Sequence, residues 1–295
     1  MLAQKHVVQP LKITSSHRRR SARTSRCFAQ DWSNQMAQDQ RKGSGRYAIL
    51  VTGNLATPLV EKYGHYGDMF IKLLKDADDE TWDMYFVFEK DSPADDVLAK
   101  YECLVLTGSS ADSFKDPEWN KQLKARLAAA VKRQQRILGI CYGHQVMARV
   151  LGGETGRASL FEGGPRTINV APAFFDQWFV KPTWSSHDRP ESWKFNIHET
   201  HTDVVTSMPP DAAVIASSDK AHCEVMVFKN HFLGLQGHPE FTAEFQGALI
   251  DYRLQHGTLT EEQAQESKKA LHDNPVTKTD FIKVQKMLKY FVKGH

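Results

Sequence analysis

Between Tyr47 and Gly143, four short apolar runs alternate with helical patterns, and this alternation narrows the fold more than any other feature of the chain. The runs are "YAILVTGN", "WDMYFVFEKD", "YECLVLTGSS" and "RILGICYG". They are apolar and β-rich, as strands covered on both faces tend to be. Between the last two, Trp119, Leu123, Leu127 and Val131 recur at spacing four, one stripe of a helix. Strands alternating with helices predict a parallel sheet with helices on both sides. "YGHYGDMF" at 63–70 reads as an entry loop and the start of the first helix, with Tyr66 and Gly67 as candidate pocket residues.

After Gly153 the pattern changes. "PRTINVAP", "AAVIASSD", "EVMVFKN" and "FLGLQGHP" read as short strands with few helices between them, an antiparallel addition to the sheet. The expected fold is therefore α/β, an open, mostly parallel sheet flanked by helices with antiparallel additions. Residues 171–195 hold three prolines and three tryptophans and read as an ordered surface loop near the site. Near the C-terminus, Phe281, Val284, Leu288 and Phe291 form an apolar stripe at spacings of three and four. That stripe predicts a helix packed on the domain rather than one held for a partner.

Residues 1–45 differ from the rest. Lys5, Lys12, Arg18, Arg19, Arg20, Arg23 and Arg26 precede the first acid, Asp31, among many serines and threonines. This is the composition of an organelle transit peptide; the alternative is a disordered basic tail. The expected organisation is this segment, a catalytic domain over 46–256 and a C-terminal helical extension over 257–295. The chain's net charge of +3 sits in that first segment, and the remainder is mildly acidic. Charge therefore argues for neither a nucleic-acid nor a membrane partner, and no apolar run reaches the ~20 residues of a membrane helix. Cys27, Cys103, Cys141 and Cys223 are widely spaced without a CxxC pair, against structural zinc or a disulfide framework. A reducing compartment is expected, the cytosol, or a plastid or mitochondrion if the first segment directs import.

The chemistry centres on "GICYGHQ". A buried strand ending in Gly-x-Cys-x-Gly and running straight into a helix has the form of a nucleophile elbow. Gly139 and Gly143 are needed because a Cβ beside the sharp turn collides with neighbouring backbone. The turn sets Cys141 at a helix N-terminus, where the dipole and free N–H groups favour a thiolate. Cys103 and Cys223 have no such setting and read as buried structural thiols. Further on, "LGLQGHPEF" places His238 and Glu240 two residues apart around Pro239. In an extended segment both side chains face one way, which suits a base and the carboxylate that orients it. "LTGSSADSF" follows the third strand, and its Gly108 and Ser109 can join the N–H of Tyr142 in an oxyanion hole. His144 reads as a packed residue at the helix start. His198 and His201 are spaced by three, but without a cluster of Cys or carboxylate ligands a packing role is expected, not a metal.

Gly-x-Cys-x-Gly-His-Gln with a later Gly-His-Pro-Glu resembles class I glutamine amidotransferase domains, over about residues 47–255. The resemblance implies a flavodoxin-like fold and a triad of Cys141, His238 and Glu240. It also implies a pocket with Gln145 near the α-amino and α-carboxylate end of a glutamyl group, and it sets His201 in a His-x-Asp loop at the site rim. Within the family the chain is most similar to stand-alone plant γ-glutamyl peptidases, through "LTGSSADSFKDPEW", "HTDVV", "ASSDKAHCEVMVF" and the helical C-terminus. Ser109-Ser110 departs from the Ser-Pro or Gly-Pro of many relatives, which leaves the shape of that loop open.

The resemblance implies a small γ-glutamyl substrate, glutathione, a glutathione conjugate or glutamine, and no cofactor. One alternative is a glutaminase subunit that delivers ammonia to a separate synthetase. No Gly-x-x-x-x-Gly-Lys-Ser/Thr loop is present, and the ~40 residues after the core are too few for a fused synthetase domain. A second alternative is an inactive binding or regulatory protein on the same fold.

Overall fold

The computed structural model describes residues 45–89, 92–184 and 194–295, so the expectation for the basic N-terminal segment lies outside the described residues. In chain order the elements are β1 (Arg46–Val51), α1 (Thr57–Tyr63), α2 (Tyr66–Leu74), β2 (Thr81–Phe86), α3 (Asp95–Leu98), β3 (Cys103–Leu106), α4 (Glu118–Lys132), β4 (Arg136–Ile140) and α5 (Tyr142–Val150). There follow β5 (Glu154–Val170), β6 (Lys194–Ser207), β7 (Ala212–Ser217), β8 (Val225–Phe228), β9 (Phe232–Leu235), α6 (Ala243–Gln255), α7 (Glu261–Asp273) and α8 (Lys278–Lys293).

Among the described residues one sheet joins nine strands in the order β2-β1-β3-β4-β9-β8-β7-β5-β6. The first five are parallel, the strand order of a flavodoxin-like doubly wound sheet. From β9 outward every pairing is antiparallel. Side chains alternate across the parallel strands: Ile49 and Val51 join one core with Val105, Leu138 and Ile140, and Ala48 and Leu50 join the other with Leu104, Leu106 and Ile137. Both faces are buried, which is why the runs are apolar throughout.

α4 spans the predicted stripe and buries Leu123 and Leu127. α8 carries the predicted C-terminal stripe, with Val284, Leu288 and Phe291 buried. Its first turn is closed by a capping box: Asp280 N donates to Thr277 Oγ1 at 3.1 Å, and Thr277 N donates to Asp280 Oδ2 at 3.1 Å. A cap of this kind contributes about 1 kcal/mol.

Three expectations are corrected. Residues 63–70 are the end of one helix and the start of another, α1 and α2, separated by Gly64 at φ 80°. Tyr66 does line the cleft described below, but Gly67 packs on β1 and β2, where a Cβ would meet Met84 and Val51. Residues 194–207 form a long strand, β6, paired along β5, so His201 lies on a strand rather than in a loop. The described part of the Trp/Pro-rich segment is no surface loop. Phe174, Phe179, Val180 and Trp184 are buried in the main core, and the Phe179 ring meets Phe291 of α8 edge-on at 5.3 Å. Aromatic burial, rather than the prolines, decides where this segment goes.

Candidate active site

Cys141 sits between β4 and α5 at φ 50°, ψ −101°, a left-handed backbone for a residue with a side chain. Such a conformation costs of order 1–3 kcal/mol and persists only where its flanks are held. Here Cys141 N donates to Leu235 O of β9 at 2.8 Å, and Cys141 O accepts from Gln145 N at 3.0 Å. The two glycines have the steric role expected of them. A Cβ at Gly139 would stand 2.6 Å from Gly143 O, and one at Gly143 would stand 2.8 Å from Leu106 O. The turn lifts the sulfur over the C-terminal edge of the sheet, at the N-terminus of α5.

His238 follows β9, the strand beside β4, and its N donates to His198 O of β6 at 2.7 Å. His238 Nδ1 lies 2.7 Å from Glu240 Oε1, both buried. The local geometry differs from the extended segment the sequence suggests. After a single bridge at His238 the chain turns, and Phe241 N reaches back to His238 O at 3.4 Å. The turn, not strand alternation, brings the carboxylate to the ring. Phe241 then stacks on the imidazole, ring centroids 4.2 Å apart.

Burial is the largest influence on His238 and disfavours its charge. The Glu240 carboxylate and the Cys141 sulfur together outweigh it and raise the His238 pKa to about 10. The buried Nε2 has no hydrogen-bond partner of ordinary geometry. A Cβ at Gly108 would lie 2.7 Å from His238 Cε1 and 3.6 Å from Cys141 Cβ, so thiol, imidazole and the Gly108 backbone converge on one point.

Ser109 and Gln145 line the cleft above Cys141. Ser109 Oγ accepts from Ala111 N at 3.1 Å, so its side chain braces its own loop. Tyr142 buries its ring against Trp119 of α4, centroids 5.8 Å apart, and offers the site only its backbone N–H, an orphan donor of the first helical turn. Gln145 Nε2 donates to Asp203 O at 2.6 Å and to Gln236 Oε1 at 3.1 Å, which leaves its carbonyl oxygen for the cleft.

The cleft has a volume of about 410 Å3 and is walled by the loops after β1 and β3, by β5 and β6, and by α6 and α7. It brings in residues that local motifs do not reveal. Arg157 of β5 pairs with Asp203 of β6 at 2.8 Å and with Asp112. Arg253 of α6 reaches across to Thr200 Oγ1 at 2.5 Å.

Behind the site lies a buried polar layer. Glu199 Oε2 stands 3.2 Å from His201 Nε2, with Glu162 Oε1 at 4.0 Å. Burial raises the pKa of Glu199 and of Glu224 well above the ordinary carboxylate value and lowers that of His201, so these groups favour their neutral forms. His144 is buried with its Nε2 3.8 Å from Cys223 Sγ, and burial pushes its pKa down to about 3. The Cys103 and Cys223 thiols are buried and pushed up to about 12, far from reactive thiolates. Among the described residues no cluster of His, Cys, Asp and Glu has metal-binding geometry, and no helix is long and apolar enough to cross a membrane.

The family model for glutamine amidotransferase class-I matches residues 85–251, the segment that runs from β2 through the elbow and the His-Pro-Glu turn into α6. The chain belongs to the class I glutamine amidotransferase family. Among curated proteins, gamma-glutamyl peptidase 5 of Arabidopsis thaliana is 33% identical over 251 residues, covering 84% of this chain and 96% of the relative. Gamma-glutamyl peptidase 2 of the same plant is 33% identical over 249 residues, with the same coverage. A glutamine amidotransferase of Thermotoga maritima shares the fold, with a TM-score of 0.61 at 18% identity over 84% of this chain and 98% of that one. As a class I amidotransferase-like chain it is an enzyme of the hydrolase or amidotransferase type. The family match spans Cys141, His238 and Glu240, and α7 and α8 lie beyond its end.

Proposed function

We propose that the protein is a cysteine hydrolase that cleaves the γ-glutamyl amide bond of glutathione, its conjugates or related compounds and releases glutamate. The observation that carries this reading is the convergence of Cys141, which lines an open cleft, and His238 on the Gly108 backbone, with Glu240 bonded to His238 at 2.7 Å.

In the reaction the Cys141 thiolate attacks the carbonyl carbon of the γ-glutamyl amide. The carbonyl oxygen becomes an oxyanion, received by backbone N–H groups at Gly108–Ser109 and at Tyr142. The His238 imidazolium donates its proton to the leaving nitrogen as the C–N bond breaks, and a γ-glutamyl thioester remains. Water then attacks the thioester while His238 takes a proton from it, glutamate leaves and the Cys141 thiolate returns. Glu240 holds the imidazole in one tautomer and stabilises its charged form. Gln145 offers its carbonyl oxygen to the glutamyl α-ammonium. Every step uses this chain's own groups.

The same thioester forms from glutamine with ammonia as the leaving group, and a glutaminase working for a separate synthetase differs only in what leaves. The deciding experiment incubates protein from residue 42 onward, and its Cys141→Ala variant, with glutathione, a glutathione S-conjugate and glutamine, and measures glutamate and the released amine by mass spectrometry. Cys141-dependent cleavage of the tripeptides, faster than of glutamine, supports the peptidase. Fast glutamine hydrolysis with intact tripeptides overturns it in favour of the glutaminase. No turnover of any γ-glutamyl compound and no labelling of Cys141 by a thiol-reactive probe would support a binding or regulatory protein. We also propose that the protein works in the cytosol, or in a plastid or mitochondrion if residues 1–45 are a transit peptide; a fluorescent protein fused to them that stays cytosolic removes the transit reading.

A further inference from the structure

The charged groups around the cleft are unevenly paired. Arg157 spends its guanidinium on Asp203 and Asp112, and Asp112 also meets Lys115 Nζ at 2.5 Å. Among the described residues the Arg253 side chain bonds only the Thr200 hydroxyl. Among the described residues no carboxylate lies within ion-pair distance of it, and none of its guanidinium nitrogens is buried without a partner. Its remaining donors are therefore accessible to solvent, on a residue that lines the cleft.

The position of Arg253 is set by its backbone. Arg253 O accepts from Thr258 N at 2.9 Å and from Thr258 Oγ1 at 3.1 Å, which closes the turn after α6. From there α7 starts behind a Thr260–Gln263 capping box, and Gln263 lines the same cleft. Across the cleft, the buried Tyr66 hydroxyl feels the positive charge of Arg253 and the negative charges of Glu240 and Cys141. Arg253 and the nucleophile thus face a common space.

We infer that Arg253 binds a carboxylate on the leaving-group side of the substrate, so that the enzyme selects γ-glutamyl compounds whose amine portion ends in an acid. This deepens the proposed function and rests on it. A glutamyl head is a zwitterion: the Gln145 carbonyl oxygen suits its α-ammonium, and Arg157, which gives Nε to Asp203 and Nη2 to Asp112, keeps its Nη1 donors for the α-carboxylate. Glutamine brings no further charge, and ammonia needs no room beyond the amide nitrogen. A γ-glutamyl peptide brings one more carboxylate and a longer chain. Arg253 is the cation left to receive the first, since a guanidinium fork matches a carboxylate in a way a neutral partner cannot. The cleft, about 410 Å3 in volume, has room for the second; small-molecule sites span about 300–1,000 Å3.

The test uses the full chain as wild type, Arg253→Gln and Arg253→Lys. Its substrates are glutathione, glutathione whose glycine carboxylate is replaced by a carboxamide, and glutamine. We expect wild type to prefer glutathione over its carboxamide by about 10–100-fold in kcat/KM, the scale of a charge-assisted hydrogen bond. Arg253→Gln is expected to abolish that preference by raising KM for glutathione, with turnover of the carboxamide and of glutamine kept within about twofold. Arg253→Lys should retain part of the preference, and retained turnover of the neutral substrates reports an intact site. Equal wild-type rates on acid and carboxamide overturn the inference while leaving the γ-glutamyl peptidase standing. So does an equal loss on all three substrates in both variants, which would put Arg253 on the glutamyl side or in the scaffold. Glutamine turnover with no cleavage of either tripeptide overturns the proposed function itself, and this inference with it.

Discussion

Glu240 accepts a 2.7 Å hydrogen bond from His238 across a single proline, in a turn that leaves both side chains almost fully buried. That contact, together with the nearby Cys141 sulfur, holds His238 charged against the cost of burial. The folded pKa of His238 is raised from 6.5 to about 10. The imidazolium is therefore present at neutral pH and is lost as pH rises through about 10. If its proton goes to the leaving amine, the alkaline limb of kcat/KM lies near pH 10 rather than near neutrality. Glu240→Gln should move that limb toward neutral pH and lower kcat by about 100-fold or more. A pH–rate profile whose alkaline limb does not move in the variant would remove Glu240 from the mechanism.

Gly108 is placed where no side chain fits. A Cβ there would stand 2.7 Å from His238 Cε1, so Gly108→Ala must displace the imidazole or the loop proposed to carry the oxyanion donors. We expect about a 100-fold fall in kcat, the effect of an ångström-scale misplacement, with a thermal midpoint lowered by only a few degrees. Wild-type turnover by this variant would show that the loop has room to retreat and that Gly108 is dispensable.

Glu199 and Glu224 should govern how stability changes with pH. Their folded pKa values are raised by burial, so the folded protein keeps protons that the unfolded chain releases above its ordinary carboxylate pKa of 4.5. Each acid contributes most at low pH and withdraws stability as pH rises, by about 1.4 kcal/mol per pH unit while only the unfolded form is ionised. Glu199→Gln with Glu224→Gln removes that dependence. Urea denaturation at pH 5 and pH 8 should find the double variant gaining on wild type between the two. Parallel stability profiles would mean that both acids are ionised in the folded protein.

Phe291 joins α8 to the described Trp/Pro-rich segment, with its ring 5.3 Å from Phe179 and 6.1 Å from Trp178. Phe291→Ala should cost about 3–5 kcal/mol in urea denaturation. Turnover below the transition should persist, because Phe291 is no part of the cleft wall. Unchanged stability would show that this layer relaxes to fill the gap, and lost turnover at full folding would tie α8 to the site.

What was legible in the chain follows from range. The parallel strands announce themselves because each is buried on both faces, so every position is apolar. The elbow is legible because its glycines and cysteine obey sterics within five residues. β6 is hidden because Glu199 and His201 put buried polar groups where a strand pattern needs apolar ones. The Trp/Pro-rich segment misleads because prolines signal exposure, while the fate of Trp178 and Phe179 depends on a helix a hundred residues downstream. Arg253 carries no local signal at all, since its hydrogen-bond partner Thr200 lies on another element.

Read along the chain alone, a cysteine stands on a strained turn at a helix N-terminus, and a histidine and a glutamate follow a later strand. Those are short-range matters of backbone sterics and spacing. It takes the folded chain to place β9 beside β4, so that His238 meets Cys141, and to pair Arg157 with two carboxylates while Arg253 has none. Strand order and charge pairing are set by which surfaces exclude water together, and no stretch of chain encodes that alone.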